Sequence, residues 1–169
     1  MAINDLNQKF AHELGDIYDA EHRFLDAQKE MLNLASAPQL KSMIQQHIQQ
    51  TEQQIRNLDE IHNHLGKKPQ RVKCDAAAGL VSEGQKTTKE AAGNPSVLDC
   101  VIAGSLAKVE HYEVASYRGL VTGAQMMGQQ DILQLLQQNL QQEEQTANLI
   151  EQNTPQLLQL AMSAQERGA

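Results

Sequence analysis

Two glutamates sit at positions that a helical repeat assigns to the core. In Lys108-Val-Glu-His-Tyr-Glu-Val-Ala-Ser-Tyr117, residues three and four apart share a face, so Leu106, Val109, Glu110, Glu113, Tyr117 and Leu120 fall on one stripe. A carboxylate taken out of water alone costs several kcal/mol. It must lose its charge, find a partner or bind a cation. The other arrangement that satisfies the pattern is a slightly rotated stripe with both acids solvated at its edge.

The rest of the chain says what surrounds this stripe. Aromatic residues make up 3% of 169 and Trp is absent, which leaves Leu, Ile, Val, Ala and Met to build the core and favours helices. The length suits one domain, expected over 1–169. A formal net charge of -7 argues against nucleic acid or an anionic membrane as main partner. No apolar run approaches the roughly 20 residues that cross a bilayer, and Met1-Ala-Ile-Asn-Asp5 lacks the basic and apolar regions of a leader. The expected location is the cytoplasm. Cys74 and Cys100 lack CxxC spacing and read as small hydrophobes without an assigned role.

Periodicity and punctuation predict helices over about 5–34, 38–65, 75–92, 95–127, 130–152 and 155–166. Asn4 or Asp5 caps the first. Ala35-Ser-Ala-Pro38 ends it, with Ser36 as cap and Pro38 in the first turn of the second, and the short connection makes the two an antiparallel pair. Gly66 stops the second helix, and Lys67-Lys-Pro-Gln-Arg-Val-Lys73 reads as a solvated basic loop. Gly93-Asn-Pro95 separates the connecting helix from the one that carries the acidic stripe, and Gly128 closes that helix. Thr154-Pro155 is read as the start of a separate short helix.

An internal echo pairs the halves of the chain. Met43–Gln53 aligns without gaps on Leu135–Gln145, six of eleven positions being identical, although Gln-rich amphipathic helices also match by chance. Ala20-Glu21-His22 echoes Val109-Glu110-His111. In this duplicated-hairpin reading Glu21 is equivalent to Glu110, and Thr51 stands where Glu143 stands. Glu21, between Tyr18 and Leu25, and Glu143, between Leu140 and Ala147, join Glu110 and Glu113 on inner faces. Inward carboxylates from several helices are the recipe for a carboxylate-bridged dinuclear centre, in which two helices each add Glu-x-x-His. Hard oxygen donors suit iron or manganese. No Glu-x-x-His occurs in the helices over 38–65 and 130–152. His47 on the inner stripe reads either as a core histidine or as a ligand. His22 and His111 point about 100° away from their acidic neighbours, and Tyr18 and Tyr117 are positioned to donate to buried carboxylates or simply to pack.

Tyr18-Asp-Ala-Glu21, His47-Ile-Gln-Gln-Thr51, Lys73-Cys-Asp-Ala76 and Val109-Glu-His-Tyr-Glu-Val-Ala-Ser-Tyr117 together closely resemble the YciE/YciF family of ferritin-like bacterial stress proteins, over almost the whole chain. The resemblance implies an all-α, ferritin-like antiparallel four-helix bundle with a long crossover between its second and third long helices, here followed by the short C-terminal helix. It further implies a homodimer and a rubrerythrin-like dinuclear site, with Glu21, Glu110, Glu113 and Glu143 at the acidic positions. Where relatives commonly read His-Leu-x-Glu-Thr, this chain has Gln50, with Glu52 two residues on. Gln50 can offer one neutral oxygen, which weakens one metal position unless Glu52 or His47 substitutes. The metal set expected is therefore Glu21, Gln50, Glu52, Glu110, Glu113 and Glu143.

Three functions are compatible with these residues. A stress protein could hold iron or manganese and meet peroxide or oxygen. A dimeric scaffold could keep an impaired or empty site. A manganese-catalase-like protein would disproportionate peroxide.

Overall fold

A computed structural model describes residues 3–168 of the protein, with side-chain surroundings through residue 166. Met1 and Ala2, part of the segment read as lacking a leader, lie outside that range. Local signals set the helices: α1 (Leu6–Leu34), α2 (Pro38–His64), α3 (Asp75–Ala91), α4 (Pro95–Met126) and α5 (Gln130–Gly168). The Asp5 carboxylate accepts the Gln8 N–H at 2.7 Å and starts α1. Asn94 caps α4 at Val97, ahead of Pro95. Gly66 and Gly128 adopt φ of 66° and 69° just past α2 and α4, the left-handed conformation glycine allows at little cost.

Two boundaries differ from the sequence reading. Ser36 does not cap α2. The cap position is Ala37, and the free N–H groups of Ser36 and Ala37 donate instead to Asp99 of α4 at 2.7 and 2.9 Å. A carboxylate from another helix thus does the capping, which no local pattern could announce. Nor does Thr154-Pro155 begin a new helix, because α5 runs through Pro155. Proline removes one backbone donor. Asn153 and Thr154 side chains donate to the carbonyls of Leu149 and Ile150 at 2.7 and 2.8 Å, and Leu157 and Ala161 continue the buried stripe of Ala147 and Ile150.

The two hairpins, α1–α2 and α4–α5, pack with α1 on α4 and α2 on α5, while α3 crosses outside against α1 and α4. The loop before α3 is pinned rather than free. Asp19 accepts Arg71 Nε at 2.8 Å and the Cys74 N–H at 2.9 Å, and Val72 N–H reaches the Gly15 carbonyl at 2.9 Å. A Cβ on Gly15 would meet Val72 Cγ2 at 2.7 Å, so this close approach requires glycine. Cys74 is a free, buried thiol whose Sγ accepts the Ala77 N–H at 3.3 Å at the head of α3.

Apolar residues divide into two clusters. One gathers Phe10, Leu14, Ile17, Phe24, Leu58, Ile61, Leu120 and Leu136. The other gathers Met31, Leu40, Ile44, Leu98, Ile102, Leu106, Ile150 and Leu157. Between them in every long helix lie buried polar groups: Glu21 and Gln28, His47 and Thr51, Glu110 and Glu113, Asn139 and Glu143. Among the described residues, no helix is long and apolar enough to cross a membrane.

Candidate metal centre

Helical spacing aims the acids inward. Glu110 and Glu113, three residues apart on α4, share a face, and with Glu21 of α1 and Glu143 of α5 all four have 0% exposure. The edge-solvated alternative is thereby excluded. Donor atoms of His47, Glu110, Glu113 and Glu143 lie within 4.8 Å of one another. Ligands about 2.1 Å from an ion stand up to about 4.2 Å apart, so small side-chain adjustments close this set on a cation.

The polar atoms here are short of partners. As carboxylates, Glu110 and Glu113 leave both oxygens without a hydrogen bond, Glu21 and Glu143 leave one each, and His47 leaves both nitrogens; when protonated, Glu110 pairs with Glu143 and Glu113 with Glu21. His47 Nε2 and Glu110 Oε1 approach to 2.9 Å, within ion-pair range but not aligned as a hydrogen bond. Buried polar atoms are ordinarily satisfied, so so many facing one another indicates a space suited to a cation. Three carboxylates and one imidazole are the donor types iron and manganese accept.

Without a cation, burial favours the protonated acids. Burial pushes Glu110 up to about 8, with the neighbouring Glu21 adding repulsion. Glu21 is likewise pushed up to about 8 by burial and by Glu143, against the opposing hydrogen bond from Tyr117. Glu113 is raised well above the ordinary carboxyl value by burial and by Glu143, Glu21 and Glu110. Glu143 is raised by burial and by Glu110. Desolvation and like charge act together, and a divalent cation relieves both.

A neutral scaffold holds the acids. Tyr117 Oη donates to Glu21, and the Gln54 amide donates to Glu143. Asn139 Nδ2 donates to Tyr117 Oη at 3.0 Å, while Asn57 Nδ2 donates to Asn139 Oδ1 at 2.7 Å. On the other side Gln28 Nε2 donates to Thr51 Oγ1 at 3.1 Å.

Of the six residues expected to ligate, Glu110, Glu113 and Glu143 enter the cluster and Glu21 adjoins it. Glu52 does not. Five residues beyond His47, it lies about 140° around α2 at 100° per residue, and there it meets Lys29 at 3.7 Å in a half-exposed pair. Gln50 stands at the margin, where its Oε1 accepts Thr146 Oγ1 at 3.2 Å. His47 supplies α2's donor to the cluster. Gln54 and Asn139 were not among the residues singled out from the sequence. Gln54 lies seven residues past His47 on the same face, and Asn139 is the repeat mate of His47. His111 is an exposed partner of Glu151 at 2.7 Å, and Tyr18 Oη donates to Asp59 at 2.8 Å; neither reaches the cluster.

With this geometry established, known proteins supply the family. Residues 5–163 match the family described as a domain of unknown function, DUF892. The chain belongs to this family. It is 31% identical to YciF of Escherichia coli K12 over 147 residues, covering 86% of this chain and 88% of that one. The crystal structure of the E. coli stress protein YciF superposes with a TM-score of 0.87 at 28% identity, covering 93% of this chain and 99% of the other. YcfI of Rhodopseudomonas palustris, described as a candidate structural protein, superposes at 0.86 with 34% identity, covering 88% and 94%. The resemblance read from the Val109–Tyr117 motif is borne out, and the fold is a ferritin-like helical bundle.

Proposed function

We propose that this chain is a stress protein that holds iron or manganese on His47, Glu110, Glu113 and Glu143, with Glu21 as a fifth, adjoining acid. The observation that carries the reading is the convergence of four buried donor side chains, most of whose facing atoms lack a neutral hydrogen-bond donor. A bound ion would supply Lewis-acid and redox chemistry toward peroxide or oxygen. The chain's own residues hold the geometry: Tyr117 fixes Glu21, Gln54 fixes Glu143, and the α4 backbone fixes Glu110 against Glu113. Four carboxylates balance two divalent charges, yet among the described residues four donors converge at one position. A second ion has Glu21 as its one remaining acid, so filling of both positions is expected to be incomplete. The cytoplasmic location and homodimer expected from the sequence belong to this proposal; exposed Leu158, Leu160 and Met162 on α5 are compatible with a second chain, and light scattering tests it.

Manganese or ferrous ion added to chelator-treated protein, followed by desalting and elemental analysis, tests the centre. The expected result is retained metal in the parent and a loss of at least about 100-fold in affinity in Glu110→Ala. Absence of retained metal in the parent sinks the proposal. A scaffold with protonated acids is the competing reading, favoured by the raised carboxyls and by the description of YcfI. It requires that Glu110→Gln keep or gain stability whether or not metal is added, whereas a metal centre loses its metal-linked stabilisation in that variant. Oxygen release from peroxide by manganese-loaded protein would favour the catalase-like variant over simple holding.

A further inference from the structure

The acids and the imidazole are all buried, but His47, unlike the four acids, also lines a cleft. This narrow cleft runs along the seam between α2 and α5. Its exposure is graded. Gln46, Gln145 and Leu149 at the mouth are exposed, while Ile44, Leu106 and His47 within are buried. Midway, the bond from Thr146 Oγ1 to Gln50 Oε1 at 3.2 Å joins the walls. Apart from His47, no ionisable side chain lines the cleft.

Such a lining discriminates by charge. An ion entering it gives up water to amides and aliphatic carbon, a heavy desolvation cost, whereas a small uncharged molecule loses little. We infer that this cleft is the access route by which small uncharged oxidants of the peroxide or oxygen class reach the His47 side of the centre, and that the Gln50–Thr146 pair narrows it. This assigns Gln50 a role outside the ligand set. Its neutral amide keeps the cleft free of a charge that would hold cations at its midpoint. The inference rests on the proposed metal reading for its biological use, but the route itself is testable without metal.

The probe is diethyl pyrocarbonate, a small uncharged reagent that acylates imidazole nitrogen, applied to the metal-free full chain with peptide mass mapping of His47 and, as control, exposed His111. Leu149→Trp and Gln46→Trp block the mouth from exposed positions that stress neither core cluster, and Gln50→Ala widens the neck. Each Trp variant is expected to slow His47 acylation about tenfold and Gln50→Ala to speed it severalfold, with His111 unchanged in all. The route is overturned if His47 is not acylated in the parent, or if both Trp variants react at the parent rate. Manganese retention measured on the same samples separates the two ideas. No retention in the parent with a normal blocking effect removes the metal reading and leaves the cleft; retention with no blocking effect removes the cleft and leaves the metal.

Discussion

The α1–α2 and α4–α5 hairpins are echoes of one another that have divided their labour. The α4–α5 half gives three acids to the polar layer, Glu110, Glu113 and Glu143. The α1–α2 half gives one acid, Glu21, and fills its other inner positions with His47, Thr51, Gln28 and Gln54, all buried. Phe24 stands where repeat spacing matches Glu113, and Thr51 where it matches Glu143. A symmetric pair of hairpins would bury six acids in one layer, a charge that burial and mutual repulsion oppose. The asymmetry keeps four, and turns the neutral half into a hydrogen-bonding frame for the charged one. Two hairpins of similar sequence thus place mostly acids on one side of the layer and mostly neutral groups, with His47 among them, on the other.

The sharpest way to break this comparison is to restore the missing acid. Thr51→Glu should destabilise the metal-free protein by about 3 kcal/mol and raise manganese retained per chain, read by urea denaturation and elemental analysis. A variant as stable as the parent without metal would mean that the neutral half is not needed to limit charge.

A pH series comes next. Glu21 and Glu110 are held near 8 when folded, against an ordinary 4.5, so the folded state binds their protons more tightly than the unfolded chain. Their joint contribution is fully present below pH 4.5 and is lost as pH rises toward 8. Metal-free protein should therefore melt at progressively lower temperature from pH 5 to 8. Added manganese should reverse the trend, since metal uptake releases protons and strengthens with pH. Parallel melting curves with and without metal would contradict both halves of that statement.

Tyr117→Phe removes the donor that fixes Glu21. About 1 kcal/mol of stability and about tenfold in metal affinity are expected to go, measured by denaturation and titration. An unchanged affinity would show that Glu21 stands apart from the centre. The smallest effect belongs to the hairpin ends. Where α2 stops at Gly66, the matching stretch of α5 continues through Pro155, so Pro155→Ala should add about 1 kcal/mol with metal retention unmoved.

Much of the site could be read from spacing. Glu110 and Glu113 announce themselves because three-residue spacing on an apolar stripe has one structural meaning, and Glu21 and Glu143 follow from the apolar residues on either side. Gln54 and Asn139 did not stand out, because amides are common on exposed helix faces and the chain is rich in them. Glu52 misled for the opposite reason: its chemistry suited a ligand, but its angle on α2 did not.

By itself the sequence determined the span of α1 to α4, their order and the four inward acids, since periodicity and most caps are local properties of the chain, but not the continuation of α5 through Pro155. Which donors converge was decided by tertiary packing. His47 joins Glu110, Glu113 and Glu143 because α2 meets α4 and α5 at that level, and Asp99 caps α2 across the bundle for the same reason. Distances between helices depend on how two apolar clusters fill the space on either side of the polar layer, and no single helix carries that information.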